Sequence, residues 1–241
     1  TNVVLIGGKK MTKVLSVGGS IIAPEKPDNS FLREFVVMVT GWLNADSSRR
    51  LILVAGGGAP ARIYQHAYAE VSAETGIPAE SNAADWIGIM ATRINAQLLK
   101  ALFGNLCRNE VVYNPTEDLN FDGQILVAAG WKPGFSTDND AVLLGEKFGA
   151  DTIVNLSNIE KVYTDDPRKN PDAKPLDTIS WKNFRAMVGD EWTPGKNTPF
   201  DPIASKKAES LGMKVICAGG KNIPNIRAIL DGGEYIGTTI G

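Results

Sequence analysis

A chain of 241 residues with 43% hydrophobic and 22% charged residues has a globular composition, enough for one large α/β domain or two small ones. Its formal net charge of -2, with Lys and Arg scattered rather than banded, gives no electrostatic footprint for nucleic acid. No apolar run approaches the roughly 18 residues of a membrane span and no leader-like pattern is present, so the expectation is a cytoplasmic protein acting on small molecules.

Thr1 to Lys10 reads as an expression remnant or upstream extension, although its VVLIGG echoes the later VLSVGG and would suit a sheet edge. Lys13 to Val17 predicts a short strand running into Gly18, Gly19 and Ser20, a turn whose bare backbone admits close approach. Ser30 is the expected N-cap of a helix whose face is Phe31, Leu32, Phe35, Val36, Val39, Trp42 and Leu43. A buried strand, Leu51 to Ala55, ends in a second glycine cluster, Gly56 to Gly58. Pro60 and Arg62 occupy the first turn of the next helix. An arginine there can grip a phosphate bidentately while glycine amides hold its other oxygens; the plain alternative is an exposed helix arginine over a tight turn. His66, the single histidine, lies on that helix among Ile63, Ala67 and Val71 and reads as structural, which leaves zinc-hydrolase and Ser-His-Asp chemistry without support. Cys107 and Cys217 sit in apolar segments and read as reduced core thiols.

Glu74 to Ala84 reads as loop, and Asp85 as the opening of a long helix with a buried stripe of Ile87, Ile89, Met90, Ile94, Leu98, Leu99 and Leu102. Asp85 suits either a dipole-favoured cap or a ribose contact. Val111 to Tyr113 and Gln124 to Ala129 are further strands. Gly130, Pro133 and Gly134 then bend the chain, and Ser136, Thr137 and Asp138 are capping residues for a helix carrying Ala141, Leu144, Gly145 and Phe148 inward. A loop that gathers amides and hydroxyls at a helix start is compatible with an anion, and equally with an ordinary capped helix.

Thr152 to Leu156 is a buried strand, followed by a long polar loop with Tyr163, Asp165, Asp166, Pro167 and Pro171. Ser180 to Val188 reads as helix, Gly189 to Asp201 as a loop containing Gly195, and Pro202 to Leu211 as a helix capped by Asp201. Lys214 to Ala218 and Tyr235 to Ile240 are late strands around a helix near Asn225 to Leu230. Strands alternating with helices predict a mostly parallel sheet covered on both faces, with ligands at the strand C-terminal ends, where the glycine turns lie. No GxxxxGK[ST] run is present; Gly56, Gly58 and Ala61 satisfy a loose GxGxxA, so a dinucleotide-binding oxidoreductase is the rival.

The segments VGGSI (Val17 to Ile21), GGGAPAR (Gly56 to Arg62), DWIGIMATRINAQLL (Asp85 to Leu99), PGFSTD (Pro133 to Asp138), VYTDDPRKNPDAK (Val162 to Lys174), FDPIASK (Phe200 to Lys206) and GTTI (Gly237 to Ile240) resemble, in order, those of the amino-acid kinase family, most closely its archaeal-type uridylate kinases. The resemblance implies an α/β fold, a three-layer αβα sandwich around a mainly parallel sheet. It implies a single domain over 11–241, with an acceptor-binding half of about 11–150 and an ATP-binding half of about 151–241. The activity implied is transfer of the ATP γ-phosphate to UMP, with Mg2+ carried on ATP rather than by a dedicated protein site, in a homo-oligomer that is usually a hexamer.

By position, the resemblance assigns UMP to Gly57, Asp85, Trp131, Lys132, Pro133, Gly134, Phe135, Ser136 and Thr137. It assigns ATP and the transferring phosphates to Gly18, Gly19, Ser20, Gly58, Arg62, Ser157, Tyr163 and Asp166, and places Arg62, Asp201 and Ser20 at the reacting centre. Ser16 stands where many relatives have a lysine, for which Lys13 and Lys206 are the candidate substitutes. Glu160-Lys161 replaces Asp-Gly, Trp131 a small hydroxyl residue, and Asn139-Asp140 small apolar residues. These departures keep two alternatives open: a nucleotide-binding module of the same fold with little turnover, and a kinase acting on another small acceptor.

Overall fold

The computed structural model describes residues 11–191 and 198–241. The reading of Thr1 to Lys10, and the part of the Gly189 to Asp201 loop that holds Gly195, lie outside the described residues. In chain order the strands are β1 (Met11–Val17), β2 (Arg49–Ala55), β3 (Ile125–Ala128), β4 (Thr152–Ser157), β5 (Thr178–Ile179), β6 (Lys214–Gly219) and β7 (Thr238–Ile240). The helices are α1 (Gly19–Ile22), α2 (Asn29–Asn44), α3 (Gly58–Thr75), α4 (Ser81–Phe103), α5 (Thr137–Phe148), α6 (Trp181–Val188), α7 (Pro202–Ser210) and α8 (Ile223–Asp231).

One seven-stranded sheet has the order β3-β2-β1-β4-β6-β7-β5. Strands β3, β2, β1, β4 and β6 run parallel, and β7 turns back against β6 while pairing in parallel with β5. Central strands covered on both faces bury consecutive residues, and Leu51 to Ala55 and Ile125 to Ala128 are buried throughout. Alternate side chains divide between two cores. Leu15, Val17, Leu51 and Leu53 join the helix residues Phe35, Trp42, Leu99 and Ile229 on one face. Val14, Ile52 and Leu126 join Leu144, Phe184 and Ala204 on the other. The mainly parallel α/β sandwich is therefore as the alternation implied.

Four local expectations are corrected. The N-cap of α2 is Asp28, which accepts the Phe31 amide at 3.0 Å, because a carboxylate three residues before that amide satisfies it directly. The stretch read as loop from Glu74 to Ala84 is mostly helix: α3 runs to Thr75 and α4 begins at Ser81, so Asp85 lies in the second turn of α4 rather than opening it. On α4, Ile89 and Leu99 are buried, but Met90, Ile94 and Leu102 are exposed together with Ile63 and Val71 of α3, beside His66. Hydrophobic periodicity marks a face without saying what covers it. Val111 to Tyr113 is not a strand but one parallel bridge, Val112 to Ala128.

Leu53, fully buried between β1 and β3, has no space to relax into if shortened. Leu53→Ala should destabilise folding by about 2–5 kcal/mol in urea titration.

Candidate functional site

The C-terminal ends of β1 and β2 lie side by side, with Val17 opposite Ala55, and both chains turn there on glycine. The turns touch backbone to backbone. A Cβ on Gly19 would stand 1.9 Å from the Gly58 nitrogen, and one on Gly58 would stand 2.3 Å from the Gly19 oxygen at a φ of +68°. Gly18 lies close on β4, donating to Leu156 O at 2.8 Å; a Cβ on it would stand 2.7 Å from that oxygen and in ordinary contact with Ser157 Cα at 3.7 Å. So Gly18, Gly19, Ser20, Gly57, Gly58 and Ser157, predicted from separate segments, form one cluster.

Because α1 and α3 start at these turns, the amides of Gly19, Ser20, Gly57 and Gly58 have no hydrogen-bond partner among the described residues. The neighbouring carbonyls are used: Asn95 of α4 donates Nδ2 to Gly56 O at 2.7 Å and Gly57 O at 3.2 Å. The double turn thus presents donors and withholds acceptors, a surface for anions. Arg62, one turn into α3, is exposed and carries no ion pair among the described residues.

The predicted acceptor stretch, Trp131 to Thr137, has little backbone pairing of its own before α5 and is held by side chains. Thr92 Oγ1 accepts the Gly130 amide at 2.8 Å while donating to Ile89 O. Asp85 Oδ2 accepts the Gly134 amide at 3.1 Å, so Asp85 is brought to this loop by the second turn of α4. Trp131 and Phe135 pack with centroids 4.8 Å apart, and Lys132 Nζ lies 3.9 Å from the Trp131 ring centroid. Ser136 caps α5, accepting the Asn139 amide, which leaves Thr137 as its first residue.

The floor on the α5 side is polar. Ser16 faces Val54 and Asn155 in register, and Asn155 faces Cys217. Ser16 Oγ donates to Asp138 Oδ1 at 3.0 Å, and the Asp201 amide donates to Asp138 Oδ2 at 3.2 Å. Asp201 itself caps α7, accepting the Ala204 amide at 2.7 Å. Burial, with the Asp201 charge second, pushes the Asp138 carboxyl up to about 6. Asp140 is fully buried; its Oδ2 accepts the Trp131 amide at 3.2 Å and its Oδ1 has no partner. Burial pushes Asp140 up to about 7. Desolvation also raises the Cys217 thiol, so both cysteines, free and buried, are inert core groups. Lys13 lies at the start of β1 opposite Leu51, away from the turns, and Lys206 is exposed on α7.

The remaining ATP candidates lie apart on the loop after β4. Tyr163 bridges to Pro175, and Asp166 accepts the Arg168 amide and Nε, both at 3.0 Å, and its terminal nitrogen at 3.1 Å. No contact among the described residues ties either to the glycine turns. Lys161 pairs with Asp177, and no described residue other than glycine has a positive φ, so replacing glycine there imposes no strain. Sequence reasoning missed Thr92, Arg93 and Asn95. Thr92 and Asn95 are polar residues within the buried side of an apolar helix, a pattern that demands partners. Among the described residues no group of three or more His, Cys, Asp or Glu side chains is disposed to hold a metal ion, and no helix is long and apolar enough to cross a membrane.

A carboxyl raised in the folded state keeps its proton while the unfolded chain loses it, so it costs stability as pH rises from its ordinary 3.8 towards 7. The advantage in melting temperature of Asp140→Asn over the parent should widen between pH 4 and pH 7 and stay constant above; a gap independent of pH would reject the titration.

The amino acid kinase family pattern matches residues 11–219. A uridylate kinase of Methanospirillum hungatei is 33% identical over 232 residues, covering 95% of this chain and 94% of the relative. One of Pyrococcus abyssi is 34% identical over 233 residues, covering 95% and 99%. The crystal structure of uridylate kinase from Archaeoglobus fulgidus superposes with a TM-score of 0.79 at 30% identity, covering 96% of this chain and all of that one. With its glycine turns, parallel sheet and full-length relatives in agreement, the chain belongs to the amino-acid kinase family.

Proposed function

We propose that this chain is an ATP-dependent UMP kinase, transferring the γ-phosphate of ATP to the phosphate of UMP to give UDP. The observation that carries the reading is the double glycine turn, four open amides over paired carbonyls, next to a loop held by Asp85 of α4. Uridylate kinases aligned over almost their whole length support the choice of acceptor.

Phosphoryl transfer asks the protein to align two anions and spread their charge rather than to make bonds. Gly18, Gly19, Ser20, Gly58 and Arg62 are assigned to the transferring phosphates, and Gly57, Asp85 and Trp131 to Thr137 to UMP. Ser157, Tyr163 and Asp166 are assigned to ATP, and Asp201, with Arg62 and Ser20, to the reacting centre. Asp166 would have to leave Arg168 to reach a nucleotide. Asp138 and Asp201 already accept hydrogen bonds from Ser16 and Ala204, which suits Mg2+ arriving on the ATP phosphates. The acceptor half is assigned to about 11–150 and the ATP half to about 151–241.

A homo-oligomer, a hexamer by resemblance, belongs to the same proposal. Ile63, Tyr64 and Val71 of α3 and Met90 and Ile94 of α4 are each more than half exposed, a face that a lone chain would leave in water. A cytoplasmic location goes with this reading.

ADP release from ATP and Mg2+ should appear with UMP and not with acetylglutamate or aspartate, CMP completing the panel. Silence with UMP, while UMP and ATP still raise the melting temperature, would instead establish a binding module without turnover. Arg62→Ala should lower kcat/KM for UMP about 10- to 100-fold, the worth of a hydrogen-bonded charge; unchanged kinetics would remove Arg62 from the site.

A further inference from the structure

The backbone of Trp131 is gripped at both ends by ionisable residues from different helices. Its amide donates to Asp140 Oδ2 of α5 at 3.2 Å, and its carbonyl accepts Arg93 NH2 of α4 at 3.2 Å. Neither residue is free to do anything else. Arg93 is fixed between two rings, its guanidinium carbon 4.2 Å from the Tyr113 centroid and 5.6 Å from that of Trp86, and its Nε is buried without a partner. Asp140 is wholly buried, and its second oxygen is likewise unpartnered. Leaving such atoms unsatisfied is costly. What both side chains reach is one residue of an irregular loop, directly after the Gly130 amide held by Thr92.

We infer that Asp140 and Arg93 are positioning residues: together they clamp the Trp131 backbone and so set where the loop from Trp131 to Thr137 presents its amides and rings to the acceptor. Neither touches the reacting atoms. Removing either grip leaves the amide or carbonyl of Trp131 without its partner, and the loop gains alternative conformations, which weakens acceptor binding in proportion to the competent fraction. The inference rests on the UMP kinase reading for the identity of the acceptor, but not for the clamp itself.

The test uses the full chain and three variants. Asp140→Val removes the acceptor oxygen together with a buried carboxyl, so the protein still folds. Asp140→Asn keeps an acceptor oxygen. Arg93→Met removes the guanidinium but keeps an apolar stem between the rings. For Asp140→Val and Arg93→Met the KM for UMP should rise about tenfold, the worth of one hydrogen bond to an ionisable group, with kcat changed less than about threefold. Asp140→Asn should recover most of that loss. Amide hydrogen exchange of a peptide spanning Gly130 to Thr137, without nucleotide, should quicken in Asp140→Val and Arg93→Met and stay near the parent in Asp140→Asn. Unchanged exchange in the first two variants overturns the clamp, whatever the substrate. Faster exchange with unchanged KM for UMP overturns its role in acceptor binding. A parent protein that never turns over UMP refutes the kinase reading alone, and the exchange comparison then decides the clamp.

Discussion

The site depends on one contact, the backbone of Gly19 against the backbone of Gly57 and Gly58. Parallel strands β1 and β2 deliver two chains to the same place, and both must turn there at less than the width of a side chain. Only glycine permits it, and the consequence is chemical as well as steric. Two helices begin at the contact, so their first amides cannot be paired within either helix. Asn95 then takes up the carbonyls of Gly56 and Gly57 from behind. A turn would ordinarily present donors and acceptors together and have little net preference; this one has been made one-sided.

Carboxylates beside an anion site look self-defeating, yet Asp138, Asp140 and Asp201 line the floor on the α5 side. The sequence of hydrogen bonds resolves this. Asp201 spends its charge on the first turn of α7, and Asp138 on Ser16 and the Asp201 amide. Burial pushes Asp140 up to about 7, which favours its protonated, uncharged form well above the usual carboxylate range. An incoming phosphate adds a like charge and favours the protonated forms further. Ser16 fits the same arrangement: its hydroxyl donates to Asp138 at 3.0 Å without bringing a cation into the floor.

Much of this was legible in the sequence, and the boundary of legibility is physical. Glycine after an apolar strand, and Ser136 and Asp201 ahead of helices, are local signals, and each is found as a turn or a cap. Asp85 reads as the start of α4, four residues late, because Ser81 to Ala84 carry no large apolar residue to mark a helical period. The exposure of Met90 and Ile94 was not legible, since periodicity assigns residues to a face and tertiary packing decides whether that face is covered. Within the site, the glycines were readable because their chemistry is in their own backbone. Thr92, Arg93 and Asn95 were not, because the loop and turn groups they hold lie 38 or 39 positions away in the chain, and only the fold supplies them.

These residues make α4 the common support of the crevice. Asp85, Thr92, Arg93 and Asn95 span eleven residues of one helix, ten steps or about 15 Å at 1.5 Å per residue, and reach both the glycine turn and the loop after β3. A helix of 23 residues packed on a sheet is stiff over that length, so the spacing between the open amides and the loop is set by a rigid element rather than by the loop itself. Irregular loops adapt to a ligand at an entropic cost, whereas a loop fixed at Gly130, Trp131 and Gly134 from the outside has met that cost before the ligand arrives. The energy that holds the site is thus the hydrophobic packing of α4 through Ile89, Ala96 and Leu99, transmitted to the crevice through four polar side chains on the same helix.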